Sequence, residues 1–307
     1  MEYSEIAELV NMMENRKKFD NTQLKALQEF LPTDEEAQAL KGYLAKATSS
    51  EEIKAKAMAD LCACEQYMVA MLDVPNAAAK FDCVLFKTLF QSRLNEIMDE
   101  IVKLNDASEE VRSSERLRKV MAIILTVGNQ INTGGEGNSQ AAGFSLDALL
   151  KLEEAKAFDK RTSVLFYLVK LIKENDEGLL KFTEDIPTVP EVNGQMIDSL
   201  FGDLKQLSKE LEEVQKTADV EADRLKDENG KFINYSRKKS LSELQAQKTN
   251  VHKNDEGVEQ FNIMESEEEV TDMQFFAMNA EKSMGESYAT AEEMKSNYLA
   301  LLRYFGV

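Results

Sequence analysis

The chain has 307 residues, with 37 Lys and Arg against 56 Asp and Glu, so its formal net charge at pH 7 is −19. This charge disfavours binding to a nucleic-acid phosphate backbone, and no segment approaches the ~20 consecutive apolar residues that would insert across a membrane. The apolar fraction of 43% is enough to build a hydrophobic core, which excludes a wholly disordered chain.

The first third of the chain predicts short helices. Thr33 with Glu36, and Ser49 with Glu52, match the S/T-x-x-E pattern of a capping box, and each pair precedes apolar residues at helical spacing. The chain has only four prolines, which leaves long spans without an obligatory helix break. Sustained alternation of apolar and polar residues is absent, so we expect an all-α fold.

A glycine-rich segment covers residues 126–144 and contains five of the thirteen glycines. We expect it to follow a helix that ends at Val127. Nucleotide-binding glycine loops follow a strand, and the Walker type contains a Lys, which this segment lacks. The pattern therefore disfavours a nucleotide site and predicts a loop in which glycines supply positive φ and close backbone contact.

The C-terminal third predicts long helices. Beyond Pro190, apolar residues repeat in steps of three and four, as a heptad seam: Ile197, Leu200, Leu204, Leu207, Leu211 and Val214. A similar seam runs over 273–305, and a turn signal lies at 227–230. Together these predict an elongated antiparallel coiled-coil arm, with 191–220 packed against 270–305.

Charge within this arm is uneven. Residues 255–293 contain twelve acidic residues and one basic residue. Two interpretations stay open, a solvated acidic helix face or an electrostatic surface for a basic partner.

Residues that could carry chemistry are scarce. The only histidine, His252, lies in a polar stretch, and no G-x-S-x-G, H-E-x-x-H or C-x-x-C motif occurs. Cys62, Cys64 and Cys83 are too few for a zinc site and odd in number, which favours a reducing, cytoplasmic environment. We expect no enzyme, no cofactor and no metal.

The segment 128–132, Gly-Asn-Gln-Ile-Asn, resembles the G-N-x-x-N motif of the formin homology-2 domain, the actin-assembly domain of formins. Upstream, 114–121 resembles the helix that leads into this motif. Downstream, 143–156 resembles the family's G-F-x-L-x-x-L-x-K-L-x-x-x-K pattern, and 165–168 lies where the family has a similar apolar helix. The ordered set of motifs is far more specific than any one of them.

The resemblance implies an all-helical, elongated domain with a knob, a coiled-coil region and a post. On this basis we expect one domain over 1–307, with a knob-like remnant at 1–95, a post-like region at 96–190 and a coiled-coil arm at 191–307.

The resemblance also implies a function. Formins nucleate unbranched actin filaments and elongate them processively at barbed ends, in the cytoplasm, as part of the actin cytoskeleton. The implied partners are actin and a second formin subunit, whose N-terminal lasso docks on the post. The resemblance also implies profilin and Rho-family GTPases as partners, through regions of formins outside this chain. The alternative is a coiled-coil scaffold or dimerisation module without actin activity, which would not need the motifs of 128–156.

Two groups of site residues follow from the resemblance. Actin binding is assigned to Lys156, the last lysine of the K-L-x-x-x-K pattern, and to three basic residues around it, Lys151, Lys160 and Arg161. Lasso contact on the post is assigned to Gly128, Asn129, Asn132, Gly134, Gly143 and Phe144. The plainer interpretations are a solvated helix face for the basic residues and a helix-ending loop for the second group, in which an Asn side chain bonds to free carbonyls.

Departures from the family pattern lead to two further expectations. Nothing in this sequence resembles the lasso, its linker or the knob helix that carries an actin-contacting isoleucine. We therefore expect that this chain alone does not form the lasso-mediated ring dimer and that it nucleates filaments poorly. Phe166 also stands where the family usually has His.

Overall fold

The computed structural model describes residues 2–15, 19–46, 51–133, 141–156, 162–226, 239–240 and 269–305. Within these ranges the chain is essentially all helical, which confirms the all-α prediction. The first six helices are α1 Tyr3–Asn11, α2 Asn21–Glu29, α3 Asp34–Ala45, α4 Glu51–Ala59, α5 Ala63–Met71 and α6 Ala77–Ser113. The next five are α7 Glu115–Thr133, α8 Asp147–Leu150, α9 Val164–Asp176, α10 Gln195–Arg224 and α11 Asp272–Tyr304.

Shorter elements complete the described residues. Two 3₁₀ helices span Glu177–Asp185 and Val189–Glu191. Two-residue strands, β1 Lys239–Ser240 and β2 Glu269–Val270, pair antiparallel. The chain divides into two compact units, one made of Met1–Leu94 with Lys205–Met284 and the other of Asn95–Leu204 with Gly285–Val307.

Helix starts follow the predicted chemistry where they are described. Thr33 and Glu36 form a complete capping box at the start of α3, because the Thr33 hydroxyl accepts from the Glu36 amide and the Glu36 carboxylate accepts from the Thr33 amide. The hydrogen bonds that the Thr33 amide and the Thr33 hydroxyl donate to the Glu36 carboxylate lower the pKa of Glu36. Asp20 and Gln23 form a second box at α2. The predicted cap at Ser49 and the predicted turn at 227–230 lie outside the described residues.

The first unit packs helices α1–α5 with one part of each long helix. All six residues of the predicted heptad seam on α10 are buried, the last three of them in this unit, and Met273, Ala277 and Ala280 bury the facing side of α11. Phe86 and Phe90 on α6 lie against Phe276 with ring centroids 6.2 and 5.6 Å away. Apolar burial of this kind is the main source of stability for long amphipathic helices.

A buried ion pair joins three helices of the first unit. Lys80 on α6 is 0% exposed, and its Nζ lies 2.8 Å from Oε2 of Glu221 on α10, whose side chain is 5% exposed. The same Nζ donates to Oδ1 of Asn11 on α1 over 2.7 Å. Asn76 and Arg224 donate to the other carboxylate oxygen of Glu221. Each buried charge therefore has a partner of opposite charge and at least one further hydrogen bond, which is the condition under which buried charges are tolerated.

Burial and pairing act in opposite directions on these two groups. Burial lowers the pKa of Lys80, and the contact with Glu221 offsets part of that effect. Burial raises the pKa of Glu221, but the hydrogen bond and charge of Lys80 outweigh it, so the net pKa lies below the ordinary value.

The second unit packs α7 and α9 around the first 3₁₀ helix. Val120, Ile172 and Leu179 form its buried cluster, one residue from each element. In the same unit, Lys295 of α11 lies over the ring of Phe201 of α10 at 4.7 Å from the centroid. This contact tethers the polar face of α11 to an aromatic side chain.

The start of α7 is fixed by a polar cluster. Ser114 caps the helix by accepting from the Leu117 amide, and its hydroxyl donates to Oδ2 of Asp185 over 2.8 Å. Arg116 forms a two-pronged contact with the Asp185 carboxylate and a further ion pair with Glu184. The Ser114 hydroxyl and the Arg116 guanidinium hold the pKa of Asp185 below its ordinary value. This cluster ties the end of the 3₁₀ helix to α7.

Replacing Lys80 by Met is expected to destabilise the first unit. The substitution leaves Glu221 buried without its main counter-charge, which costs about 3 kcal/mol when one partner of a buried pair is removed. The measurement is the urea midpoint, with Lys216→Met on the exposed face of α10 as a control that removes the same charge. Equal midpoints for the two variants would contradict a structural role for the pair.

Replacing Asp185 by Asn is expected to lower stability at pH 7 and to flatten its acid dependence. Because the folded pKa of Asp185 is depressed, its contribution is present above the ordinary value of 3.8 and disappears as the pH falls through the folded pKa. The gap between wild-type and variant melting temperatures should therefore close below about pH 4. Asp106→Asn, on an exposed position of α6, is the control. A gap that stays constant down to pH 2 would contradict this account.

Candidate functional site

The G-N-x-x-N residues lie within a helix. Helix α7 runs to Thr133, so the prediction that the helix ends at Val127 is wrong. One glycine costs a helix only about 1 kcal/mol, and no proline interrupts this segment, so the hydrogen-bond ladder continues past Gly128. Gly134 lies outside the described residues.

The expected role of the glycines is also wrong at the two described positions. Neither Gly128 nor Gly143 has a positive φ, and a Cβ built on either would meet nothing within 4 Å. The lack of a side chain at these two positions therefore does not serve to let another backbone segment of this chain approach closely. Instead, open space lies beside Gly128 on the helix and beside Gly143 in the segment that follows it.

Asn129 binds the backbone of Ala141 with both ends of its carboxamide. Its Nδ2 donates to the Ala141 carbonyl oxygen over 3.0 Å, and its Oδ1 accepts from the Ala141 amide over 2.9 Å. The side chain thus acts as a stretch of neighbouring backbone would in a sheet, and it satisfies a donor and an acceptor that have no secondary-structure partner. The second Asn of the motif, Asn132, is exposed.

A cavity of about 230 Å³ lies directly beside this contact. Five residues of its lining belong to the predicted lasso-contact group, Gly128, Asn129, Asn132, Gly143 and Phe144. The rest of the lining is apolar and comes from α7, α8, α9 and the segments that flank α8: Ile124, Leu125, Ala141, Ala148, Leu152, Val164 and Leu168. The structure therefore brings the motif residues together around one apolar space, and we name it the motif cavity.

Lys156 is exposed at the end of the described stretch that begins at residue 141. It forms an isolated antiparallel bridge with Ser163, whose hydroxyl caps α9 by accepting from the Phe166 amide over 3.1 Å. The Val164 and Leu165 amides donate to the carbonyls of Ala155 and Leu152. These bonds give Lys156 a fixed backbone position at the start of α9.

The other predicted basic residues are only partly described. Lys151 is exposed and follows α8 directly, on the same short stretch as Lys156. Lys160 and Arg161 lie outside the described residues.

An exposed apolar surface adjoins Lys156. Phe166 is 62% exposed on the first turn of α9, and Leu165, Tyr167 and Val169 are also exposed large apolar side chains. Clusters of this kind on a protein surface often mark an interaction site. The sequence shows Phe166 as a departure from the family pattern, but it does not predict the exposure of this side chain. The periodicity of α9 alone does not show which of its faces packs against other elements.

Other kinds of site find little support in the described part of the chain. No group of three His, Cys, Asp or Glu residues there is arranged to hold a metal ion. None of the described helices has the length and apolar character needed to cross a membrane.

Replacing Asn129 by Asp is expected to release Ala141. A carboxylate can accept from the Ala141 amide but cannot donate to its carbonyl, so one hydrogen bond becomes a repulsive contact at a local cost of about 1–2 kcal/mol. The measurement is hydrogen exchange of the Ala141 amide, which should speed up roughly tenfold or more. Asn132→Asp is the control on the same helix, and equal exchange in the two variants would contradict the proposed contact.

In comparisons with known proteins, the similarity to formins extends over a longer stretch of the chain than the motifs. The family model of the Formin Homology 2 Domain matches residues 1–278. Formin-like protein 3 of Oryza sativa subsp. japonica is 33% identical over 196 residues, which covers 64% of this chain and 15% of that protein. Formin-like protein 7 of the same organism is 31% identical over 74% of this chain and 16% of that protein. Protein diaphanous homolog 3 of Homo sapiens is 30% identical over 51% of this chain and 13% of that protein.

The matched region is thus a small part of each relative, about one seventh of its length. Within this chain, however, the family match includes the G-N-x-x-N helix, the motif cavity and Lys156 together. The chain belongs to the Formin Homology 2 Domain family.

Proposed function

We propose that this chain is an actin-binding module that acts at filament barbed ends, in the nucleation and elongation of unbranched filaments of the cytoplasmic actin cytoskeleton. The observation that carries the proposal is the family match over 1–278, since the formin homology-2 domain is the actin-assembly domain of formins. The module acts by binding and positioning actin subunits, without bond-making chemistry.

The region around Lys156 is the proposed actin-facing surface. Lys156 and Lys151 are exposed cations on a protein with a net charge of −19, and the exposed Phe166 and Leu165 lie at the start of α9 beside them. A cation next to exposed apolar side chains combines electrostatic steering toward an acidic partner with apolar area that can be buried on contact. The bridge to Ser163 supports this assignment because it holds Lys156 in place before the partner arrives.

The motif cavity is the proposed binding site for a segment of a second subunit. Its lining is mainly apolar, and the Asn129 contact holds one wall, Ala141, against α7. Such a preformed space favours one bulky apolar anchor, and Gly128 supports this use because it adds no side chain that would fill the space. Under this proposal, residues 1–95 form the knob-like remnant, residues 96–190 the post and residues 191–307 the coiled-coil arm.

Replacing Lys156 by Glu is expected to weaken barbed-end binding about fivefold, mainly through a slower association rate. The charge reversal opposes an acidic partner but leaves the fold intact, because the side chain is exposed. The measurement is elongation from filament seeds followed by fluorescence microscopy, as a function of the concentration of this chain.

The matched control is Lys205→Glu, which makes the same charge change at an exposed position of α10. Equal weakening in both variants would mean that total charge matters and would remove the assignment of Lys156. Wild-type chain that leaves barbed-end elongation unchanged at all concentrations would contradict the actin function and favour the scaffold alternative.

A further inference from the structure

A second, larger hollow lies beside the motif cavity. This groove, of about 650 Å³, is bounded on one side by α7 and on the other by the C-terminal end of α11. Leu125, Gly143 and Phe144 line both spaces, so Phe144 stands where they adjoin. The other residues that line the groove are Arg118, Met121, Ala122, Ala142, Ser145, Arg303, Tyr304 and Phe305.

Several of the residues that line the groove are apolar or aromatic. Tyr304 is 67% exposed, and its ring meets that of Phe305 edge to face, with centroids 5.2 Å apart. Met121 and Phe144 also line the groove, so its apolar side chains come from several parts of the chain. Exposed aromatic side chains such as Tyr304 are the type of anchor that dominates binding energy at protein interfaces.

The charge of the groove is opposite to that of the protein. Its charged lining residues are Arg118 and Arg303, and no carboxylate is among the lining residues. Both arginines are exposed, and among the described residues neither forms an ion pair with an acidic side chain. Arg118 donates to the Arg112 carbonyl through one guanidinium nitrogen, which orients it without neutralising it. In a chain with 56 acidic residues, two guanidiniums that share a groove without carboxylates form a distinct site for anions.

We propose that this groove binds an acidic peptide segment, with carboxylates on the two arginines and a bulky apolar side chain against Phe144 and Tyr304. Arg guanidiniums match carboxylates in a bidentate geometry, which selects acidic side chains. The size of the groove suits several residues of extended chain, whereas a lone anion would leave the aromatic lining unused. A nucleic acid would meet the repulsion of a protein at −19.

This inference goes beyond the proposed function. The groove shares Leu125, Gly143 and Phe144 with the motif cavity, but Arg118, Arg303 and Tyr304 line only the groove, so variants at these three positions test it separately. The groove recognises a charge pattern in a partner polypeptide, and the test contains no actin. Failure of one proposal is therefore distinguishable from failure of the other.

The test is a fluorescence anisotropy titration of this chain with a labelled synthetic peptide that carries one Trp flanked by Glu on both sides. A twin peptide has Gln in place of every Glu. We expect the acidic peptide to bind roughly tenfold more tightly than its twin at low ionic strength, and the difference to shrink as salt is added. Equal binding of the two peptides would overturn the proposal.

Variants on α7 and α11 locate the binding. Arg118→Glu and Arg303→Glu should each weaken the acidic peptide about fivefold or more, and the milder Arg118→Gln should weaken it less. Lys119→Glu makes the same charge change on the neighbouring, exposed position outside the groove and should leave affinity near wild type. An equal effect of Lys119→Glu and Arg118→Glu would show that the peptide responds to overall charge and would overturn the assignment. Tyr304→Ala should weaken both peptides, and no effect would exclude the aromatic anchor.

Discussion

The two hydrogen bonds between the Asn129 carboxamide and Ala141 are the constraint on which the functional surface depends. They fix residue 141 against α7, and from there the chain leads into Gly143, Phe144 and α8. The motif cavity and the groove between α7 and the end of α11 both take one wall from this stretch. Without the contact, Phe144 would lose its fixed position between the two spaces. A single polar side chain therefore organises a surface that is otherwise apolar.

A different polar contact ties the helices together in each unit. In the first unit the buried pair of Lys80 and Glu221 ties α6 to α10 beside their apolar contacts. In the second unit the cap at Ser114 and the contact of Arg116 with Asp185 hold the start of α7. Apolar burial supplies the free energy in both, whereas the polar contacts select one register among several that would bury similar area.

Patterns of local origin could be predicted from the sequence. The heptad seam from Ile197 to Val214 and the capping box at Thr33 depend on neighbours a few residues away, and both are present in the structure. The motif residues were recognised as a group by resemblance, but their geometry was not, because the helix continues through Gly128 and the partner of Asn129 lies twelve residues further on. No local pattern specifies such a partner. The burial of Lys80 in α6 could not be predicted either, because a single Lys on a helix is ordinarily solvated.

The measurement that tests the central claim most directly is hydrogen exchange of this chain with and without short actin filaments. If the surface around Lys156 meets actin, amides of α8 and of the first turn of α9 should become protected in proportion to the number of barbed ends, while the exposed outer face of α10 stays unchanged. Protection confined to α10 and α11, or no protection at saturating filament ends, would contradict the account of this chain as an actin-binding module.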